Sequence, residues 1–282
     1  MGFLDLILNI TAVFLWINWR MRVVASGSKY RVPEWGVSSR PVYRPRMKSW
    51  KPLLFLLLIL LGRPFLYWEI GTAANWTPML KLGAVSIPFR PDQLVAIHLF
   101  SWASFIQVLL SVYICLILLG IFGKGIHGSE NNFVHRTVQL LVGFLESWPV
   151  LFRAALPGVV AAPLWFILCA ALEWAHIIPG QESWKNVFHE SLVVGLCAYL
   201  PWCHLLAGLV LIYFLNSYIY MGPSPLWNYL HNITRKALAP LYLLPLQISK
   251  IDFTPVAAMA IIFLIYENGI RLLSALFTLA MR

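Results

Sequence analysis

Two stretches of the chain, residues 94–122 and 191–220, contain no Asp, Glu, Lys or Arg. Each is longer than the roughly 20 apolar residues that an α-helix needs to cross a bilayer. The 282 residues are 60% hydrophobic and only 11% charged, whereas a soluble domain carries about 25% charged residues. The sequence therefore predicts an all-α, polytopic membrane protein.

Apolar stretches of sufficient length predict about six transmembrane helices. They are 3–19, 53–69, 94–122, 154–176, 191–220 and 255–279. Most basic residues lie in three of the connecting segments, 20–51, 123–153 and 221–254. Because cytoplasmic loops of membrane proteins are enriched in Lys and Arg, we place these segments in the cytoplasm and both termini outside.

The first of these segments is the most basic, with nine Lys or Arg residues in 20–51 and a single acid, Glu34. Each Lys or Arg beside anionic headgroups gains about 1 kcal/mol of attraction. We therefore expect the loop to bind anionic lipids, with a docking site for an acidic protein as the alternative. The net charge of +10 gives no indication of direct nucleic-acid binding. The residues proposed to face lipid or a partner are Arg40, Arg44, Arg46, Lys48 and Lys51.

An internal repeat is predicted over residues 94–176 and 191–279, after an N-terminal two-span module at 1–93. Each repeat has a long span, an amphipathic segment, a proline (Pro149 or Pro240) that is expected to end this segment, and a second span. The second spans carry Pro163, expected to kink the helix, and Pro255, expected in the first turn. Both repeats run in the same direction, unlike the inverted repeats of many transporters.

The two amphipathic segments are predicted to lie as helices in the cytoplasmic interface, with the apolar side towards the membrane. In each segment the polar residues recur at helical spacing on one side. These residues are Asn132, His135, Arg136, Gln139 and Glu146 in the first segment, and Asn228, His231, Asn232, Arg235 and Lys236 in the second.

Residues 228–255 read NYLHNITRKALAPLYLLPLQISKIDFTP and precede an apolar span. This pattern resembles the YggT (YlmG) family of small integral membrane proteins, in which prolines flank basic residues before an Asp-x-Ser/Thr-Pro turn. Here the turn consists of Asp252, Thr254 and Pro255, and the Asp252 side chain is expected to cap the last helix. The resemblance covers 191–279. The equivalent turn of the first repeat, at 160–163, lacks the acid and the hydroxyl, so we regard that repeat as degenerate.

The resemblance implies a non-enzymatic scaffold or organising protein of the bacterial plasma membrane. Family members are linked to cell division, to membrane-complex assembly and to osmotic-stress tolerance. No catalytic residue follows from the resemblance, and the sequence contains no catalytic motif that we recognise. The expected partners are anionic lipids and a cytoplasmic or membrane protein, while the sequence leaves the oligomeric state open.

Charged and polar side chains within spans mark a candidate site, because a charge at the centre of a membrane helix costs at least about 2.5 kcal/mol. Glu267 and Arg271 lie four residues apart and can therefore pair on one helix face. We expect an intramembrane polar cluster that holds helices together. The alternative is a proton or ion path in a transport or channel component that uses Glu267, Arg271 and Arg63. The proposed cluster comprises Arg63, Glu173, Glu267, Asn268 and Arg271.

Histidines and cysteines within the spans raise the question of a cofactor. A haem would need two imidazoles on facing helices, and His98 and His204 lie inside predicted spans. We expect them instead to form hydrogen bonds between helices. The four cysteines form no CxxC pair. We therefore predict neither a cofactor nor a metal site. Residues 69–93 are expected to form a short hairpin or a lid at the outer membrane surface.

Overall fold

The computed structural model describes residues 2–27, 50–74, 76–90, 92–125, 133–174, 184–219, 224–244, 246–248 and 251–280. Among them, six helical segments are long and apolar enough to cross a membrane. They are Gly2–Val23, Lys51–Ala73, Leu94–Gly123, Val150–Trp174, Trp184–Ser217 and Thr254–Leu279. The predicted number of six such helices is confirmed, each overlaps its predicted span, and together they fit an integral membrane protein.

Helices dominate the described residues, with two very short sheets between them. The helices are α1 (Gly2–Gly27), α2 (Lys51–Ala74), α3 (Leu94–Gly123), α4 (Phe133–Val142), α5 (Val150–Trp174), α6 (Trp184–Cys197), α7 (Leu200–Tyr218), α8 (Pro225–Ala237) and α9 (Thr254–Ala280). The strands are β1 (Met79–Leu82), β2 (Val85–Pro88), β3 (Gln247–Ile248) and β4 (Ile251–Asp252), and 3-10 turns lie at Gly143–Leu145 and Leu241–Leu243.

Contacts divide the chain into two compact units. Unit 1 contains Met1–Leu80 and Pro88–Leu109, and unit 2 contains Lys81–Ile87 and Leu110–Arg282. In unit 1, α1 packs against α2. The ring of Phe100 contacts those of Tyr67 and Phe89, with centroids 5.8 and 5.5 Å apart. These buried aromatic rings form much of the apolar core of unit 1.

The predicted hairpin is confirmed, since β1 and β2 pair and only Gly83 and Ala84 connect them. Gly83 has a φ of +63°, a conformation that glycine adopts without the penalty that other residues incur. Apolar side chains of the hairpin tip are packed in unit 2 among residues of α5 and α6. The buried members of this group are Val85, Trp165, Cys169, Val187 and Val194, and Leu82, Ile87, Leu168 and Phe277 pack against them.

Helices α5 and α6 approach closely where two glycines face each other. A Cβ on Gly195 would lie 3.0 Å from the carbonyl oxygen of Gly158 and 3.1 Å from the Cβ of Ala162. Small residues spaced by four allow such close helix packing in membranes. Tyr199, which follows α6, adds hydrogen bonds to α5. Its hydroxyl donates to the Ala155 carbonyl at 3.1 Å and accepts from the Gly158 N–H at 3.4 Å.

The fifth span differs from the continuous helix predicted over 191–220. It begins at Trp184, and the helix is interrupted at Ala198–Tyr199 between α6 and α7. Pro201 explains the interruption, because it has no N–H to donate to the Cys197 carbonyl one turn earlier. In the first turn of α7 this N–H has no intrahelical role, so proline is tolerated there.

The amphipathic segments form helices α4 and α8, although the first is shorter than predicted. It ends at Val142 and continues only as the 3-10 turn. The Arg153 N–H donates to the Pro149 carbonyl at 3.2 Å, so Pro149 directly precedes α5 and bonds to its first turn instead of ending α4. Pro163 lies inside α5. The internal repeat, its parallel arrangement and the interfacial position of α4 and α8 stay predictions.

Candidate functional site

Unit 1 contains a buried polar cluster that includes Arg63, one of the predicted site residues. Its members are Asp5 and Asn9 of α1, Arg63 and Tyr67 of α2, and Ser104 of α3; we call it the Asp5–Arg63 cluster. The two residues from α1 are four positions apart, as are the two from α2. Residues at this spacing share one face of a helix, so α1 and α2 each present a pair of polar side chains to the same point.

Arg63 is at the centre of the cluster, and all three of its guanidinium nitrogens have partners. Nη2 lies 2.7 Å from Oδ1 of Asp5, Nη1 donates to Oδ1 of Asn9 at 2.9 Å, and Nε donates to the Tyr67 hydroxyl at 3.1 Å. The side chain is only 1% exposed. Burying a guanidinium is tolerated when a carboxylate and further hydrogen bonds compensate for the lost water.

The remaining polar groups of the cluster bond to one another. The Tyr67 hydroxyl donates to Oδ1 of Asp5 at 2.7 Å. Asn9 Nδ2 lies 2.8 Å from the Ser104 hydroxyl and 3.1 Å from Oδ2 of Asp5. The Ser104 hydroxyl is in turn 3.2 Å from Oδ2 of Asp5. Three helices are thereby joined through one carboxylate.

Asp5 is the most accessible member of the cluster, with 21% of its side chain exposed. It also lies in the first turn of α1, where the helix dipole favours a negative charge. The cluster is neutral as a whole, since one carboxylate balances one guanidinium. Chemically, such an arrangement can lock helices together, because one carboxylate and one guanidinium bond to groups on all three helices.

Sequence reasoning missed Asp5 and Asn9. A signal was available, because both lie at i and i+4 in or beside the first predicted span, 3–19. Polar pairs at that spacing in an apolar helix indicate a buried partner on another helix. Arg63 needed such a partner, but the carboxylate that it binds, that of Asp5, is 58 positions away in the chain.

The other charged residues of the predicted cluster lie in unit 2. Nη2 of Arg271 is 3.0 Å from Oε1 of Glu267 one turn earlier on α9, and these side chains are 73% and 60% exposed. Asn268 is also exposed, and its Nδ2 donates to the Leu264 carbonyl at 2.9 Å. Glu173 is half-buried on α5. Glu267 and Arg271 thus form the predicted local pair, while Arg63 has its partners on α1 and α2.

The turn that carries the family resemblance forms a helix cap. Oδ1 of Asp252 accepts a hydrogen bond from the Thr254 N–H at 2.9 Å, in agreement with the predicted role of Asp252. Pro255 follows as the second residue of α9, where its missing N–H is not needed. This geometry gives a local structural reason for all three residues.

Four of the five basic residues proposed to face lipid or a partner lie outside the described residues. They are Arg40, Arg44, Arg46 and Lys48. Lys51 is exposed at the start of α2.

The amphipathic helices α4 and α8 pack together with α3 and α7 through a shared apolar group. Its buried members are Leu119, Val138, Leu209, Tyr229 and Ile233. On α8, Lys236 donates from Nζ to the Lys124 carbonyl at 2.6 Å, just after α3 ends, where a positive charge is favourable. Burial raises the pKa of Tyr229 to about 12, and burial together with the nearby Arg235 lowers the pKa of His231.

The histidines within spans bond differently from the prediction. Nδ1 of His98 is 2.8 Å from the Leu94 carbonyl, and Nδ1 of His204 is 3.1 Å from the Leu200 carbonyl. Both bonds are therefore within one helix, whereas bonds between helices were expected. In both cases the carbonyl one turn earlier on the same helix is within reach of the imidazole, so no second helix is required. Among the described residues, no group of three His, Cys, Asp or Glu side chains is arranged to hold a metal ion.

Comparison with known proteins gives no relative. No family model matches the chain, and no curated protein or solved structure is significantly similar to it. The resemblance to the YggT family therefore stays a prediction.

Proposed function

We propose that the protein is a non-enzymatic membrane scaffold of the YggT type, acting in cell division, membrane-complex assembly or osmotic-stress tolerance. In this role, packed transmembrane helices provide a stable platform. The basic loop at 20–51 then binds anionic lipids and a cytoplasmic or membrane protein partner on the cytoplasmic side of a bacterial plasma membrane.

The closed Asp5–Arg63 cluster is the observation that supports this proposal most directly. Each guanidinium nitrogen of Arg63 is bonded to Asp5, Asn9 or Tyr67, so its hydrogen-bonding capacity serves to join helices. A group that binds a substrate or relays an ion needs free capacity for that ligand. A satisfied network instead fixes a unique helix arrangement, which is what a scaffold requires.

The test is to change the five basic loop residues Arg40, Arg44, Arg46, Lys48 and Lys51 to Gln and to purify the protein in mild detergent. Co-purifying proteins and bound anionic lipids are quantified, and the sidedness of the termini is mapped with reporters. We expect loss of partner and lipid recovery, or inversion of the first spans, because the removed charges supply the attraction.

The matched control replaces the three arginines of this set with lysine, which keeps the charge and should retain the recovered partners. Unchanged recovery and unchanged topology in the glutamine variant would refute the role of the loop.

Transport is the second candidate, and the interruption of the fifth span at Ala198–Tyr199 favours it. Broken helices at membrane depth occur where the backbone is buried in protein or lines a cavity, as at the binding sites of transporters. Proteoliposomes would show proton or ion flux above that of empty vesicles, and Glu267→Gln or Arg63→Gln would abolish it. Flux equal to that of empty vesicles would exclude this candidate.

A further inference from the structure

Helix α9 has two distinct sides. One side packs within unit 2, where Ala258 and Leu273 are buried and Tyr266 lies with its ring 4.7 Å from that of His204. At about 100° per residue, these positions lie on the same side of the helix. The packed side comprises Ala258, Ile262, Tyr266, Leu273 and Phe277.

The opposite side of α9 is exposed along its length and carries both charged residues of the helix. We call it the outer face; it consists of Ala260, Leu264, Glu267, Asn268, Arg271, Ala275 and Thr278. Along the helix, Ala260 precedes the charged residues and Ala275 follows them. Apart from Thr254, Tyr266 and Ser274, the side chains elsewhere on α9 are apolar or absent, so the charged residues distinguish the outer face from the rest of the helix surface.

The ion pair of the outer face lies at the middle of its span. Glu267 is close to the midpoint of Thr254–Leu279, about 20 Å from either end at 1.5 Å per residue. The carboxylate is too short to reach the headgroups from there. A charge facing lipid at that depth is costly. Even when Glu267 and Arg271 neutralise each other, some of their N–H and oxygen groups face lipid, where nothing can form hydrogen bonds with them. The outer face therefore requires a polar cover inside the membrane.

We propose that a second copy of this chain covers the outer face, with the two α9 helices parallel and related by a two-fold axis along the membrane normal. Such symmetry brings identical residues to the same depth. Glu267 of one copy then lies within reach of Arg271 of the second copy, and the reverse holds equally. The pairing goes beyond the proposed scaffold role and does not depend on it.

Charge complementarity favours a second copy over a dissimilar helix. Glu267 and Arg271 already neutralise each other, so a partner with a single charge would leave an excess charge in the membrane. A second copy contributes one charge of each sign at the matching depth. Asn268 donates one amide N–H to the Leu264 carbonyl. Its side-chain oxygen can accept a hydrogen bond from Asn268 of the second copy, as a buried Asn does in coiled-coil dimers. The alanines allow close backbone approach.

A charge-exchange experiment tests this pairing. Glu267→Arg and Arg271→Glu are made in separately tagged chains and expressed alone and together. Each variant alone presents like charges to its own copy, so self-association measured by energy transfer in liposomes should fall about tenfold or more. Co-expression places opposite charges against each other and should restore association between the two tags.

Cysteine cross-linking provides a second measurement that leaves the charges intact. Leu264 and Ile265 are 62% and 59% exposed but lie about 100° apart around the helix. Leu264→Cys on the outer face should cross-link between copies several-fold more than the control Ile265→Cys. The unsubstituted chain, with its own four cysteines, gives the background.

Three results would overturn the proposal: a monomeric native protein in liposomes, co-expressed charge variants that fail to associate while both are folded, or equal cross-linking at 264 and 265. Co-purification of a different membrane protein that blocks cross-linking at 264 would also overturn it, since that protein would then be the occupant.

Discussion

Removing the carboxylate of the Asp5–Arg63 cluster should destabilise the protein more than removing both charges. Asp5→Asn deprives Arg63 of its ionic partner at 2.7 Å and weakens the bond from the Tyr67 hydroxyl, also at 2.7 Å. The guanidinium remains buried and keeps only its neutral partners, Asn9 and Tyr67.

The expected magnitude follows from the burial of the two partners. Breaking a buried ion pair by removing one charge costs about 3–5 kcal/mol, whereas single polar contacts between membrane helices average about 0.6 kcal/mol. Because Asp5 is 21% exposed, water can partly solvate the site, and we expect a loss of about 2–3 kcal/mol. In the double variant Asp5→Asn with Arg63→Met, no charge remains buried, and the loss should fall to about 1 kcal/mol.

Denaturant titration in mild detergent measures these differences as free energies of unfolding. Tryptophan fluorescence is a suitable signal, because the ring of Trp76 lies 5.7 Å from that of Tyr67 in unit 1. Glu69→Gln is the control: it neutralises an exposed acid on the same helix as Arg63, and it should change stability by less than about 0.5 kcal/mol. A double variant that is less stable than Asp5→Asn would refute the reasoning.

Two further predictions concern unit 2. Gly195→Ala should weaken the α5–α6 contact and lower the melting temperature, because the new Cβ would be 3.0 Å from a backbone oxygen; Gly208→Ala, with nothing within 4 Å, is the control and should be neutral or stabilising. The pKa of His231 is lowered in the folded state, so its contribution to stability is complete above the ordinary pKa of about 6.5 and is lost as the pH falls below it. Unfolding titrations between about pH 5 and 8 should show this dependence in the native protein and not in His231→Gln. Equal melting of the two alanine variants, or an unchanged pH dependence, would contradict these expectations.

The features that could be predicted from the sequence depend on neighbours in the chain. A span is identified by counting apolar residues. The cap on α9 is identified by Asp252, two residues before Thr254, because its carboxylate accepts a hydrogen bond from the Thr254 N–H. The hairpin follows from the residue types at 69–93. Each of these structures is determined within about 30 residues, so local patterns were sufficient.

The features that could not be predicted depend on distant residues or on their burial. The start of α6 at Trp184 was missed because Lys185 and Glu190 resemble loop residues, yet Glu190 is buried in the folded unit. The partner of Arg63 is 58 residues away, and its identity depends on how α1 packs against α2. The break before α7 follows from Pro201, but an uninterrupted apolar composition conceals it.

The two ion pairs show why charge within a span has two different meanings. The bond between Asp5 and Arg63 joins separate helices and exists only when α1 and α2 are packed, so it reports on folding. Glu267 and Arg271 are one turn apart on α9 and can pair in an isolated helix, so their bond fixes no helix arrangement. Their exposure at mid-span instead creates a requirement for a neighbour. Substitutions at Asp5 should therefore change unfolding without changing self-association, and substitutions at Glu267 should do the reverse.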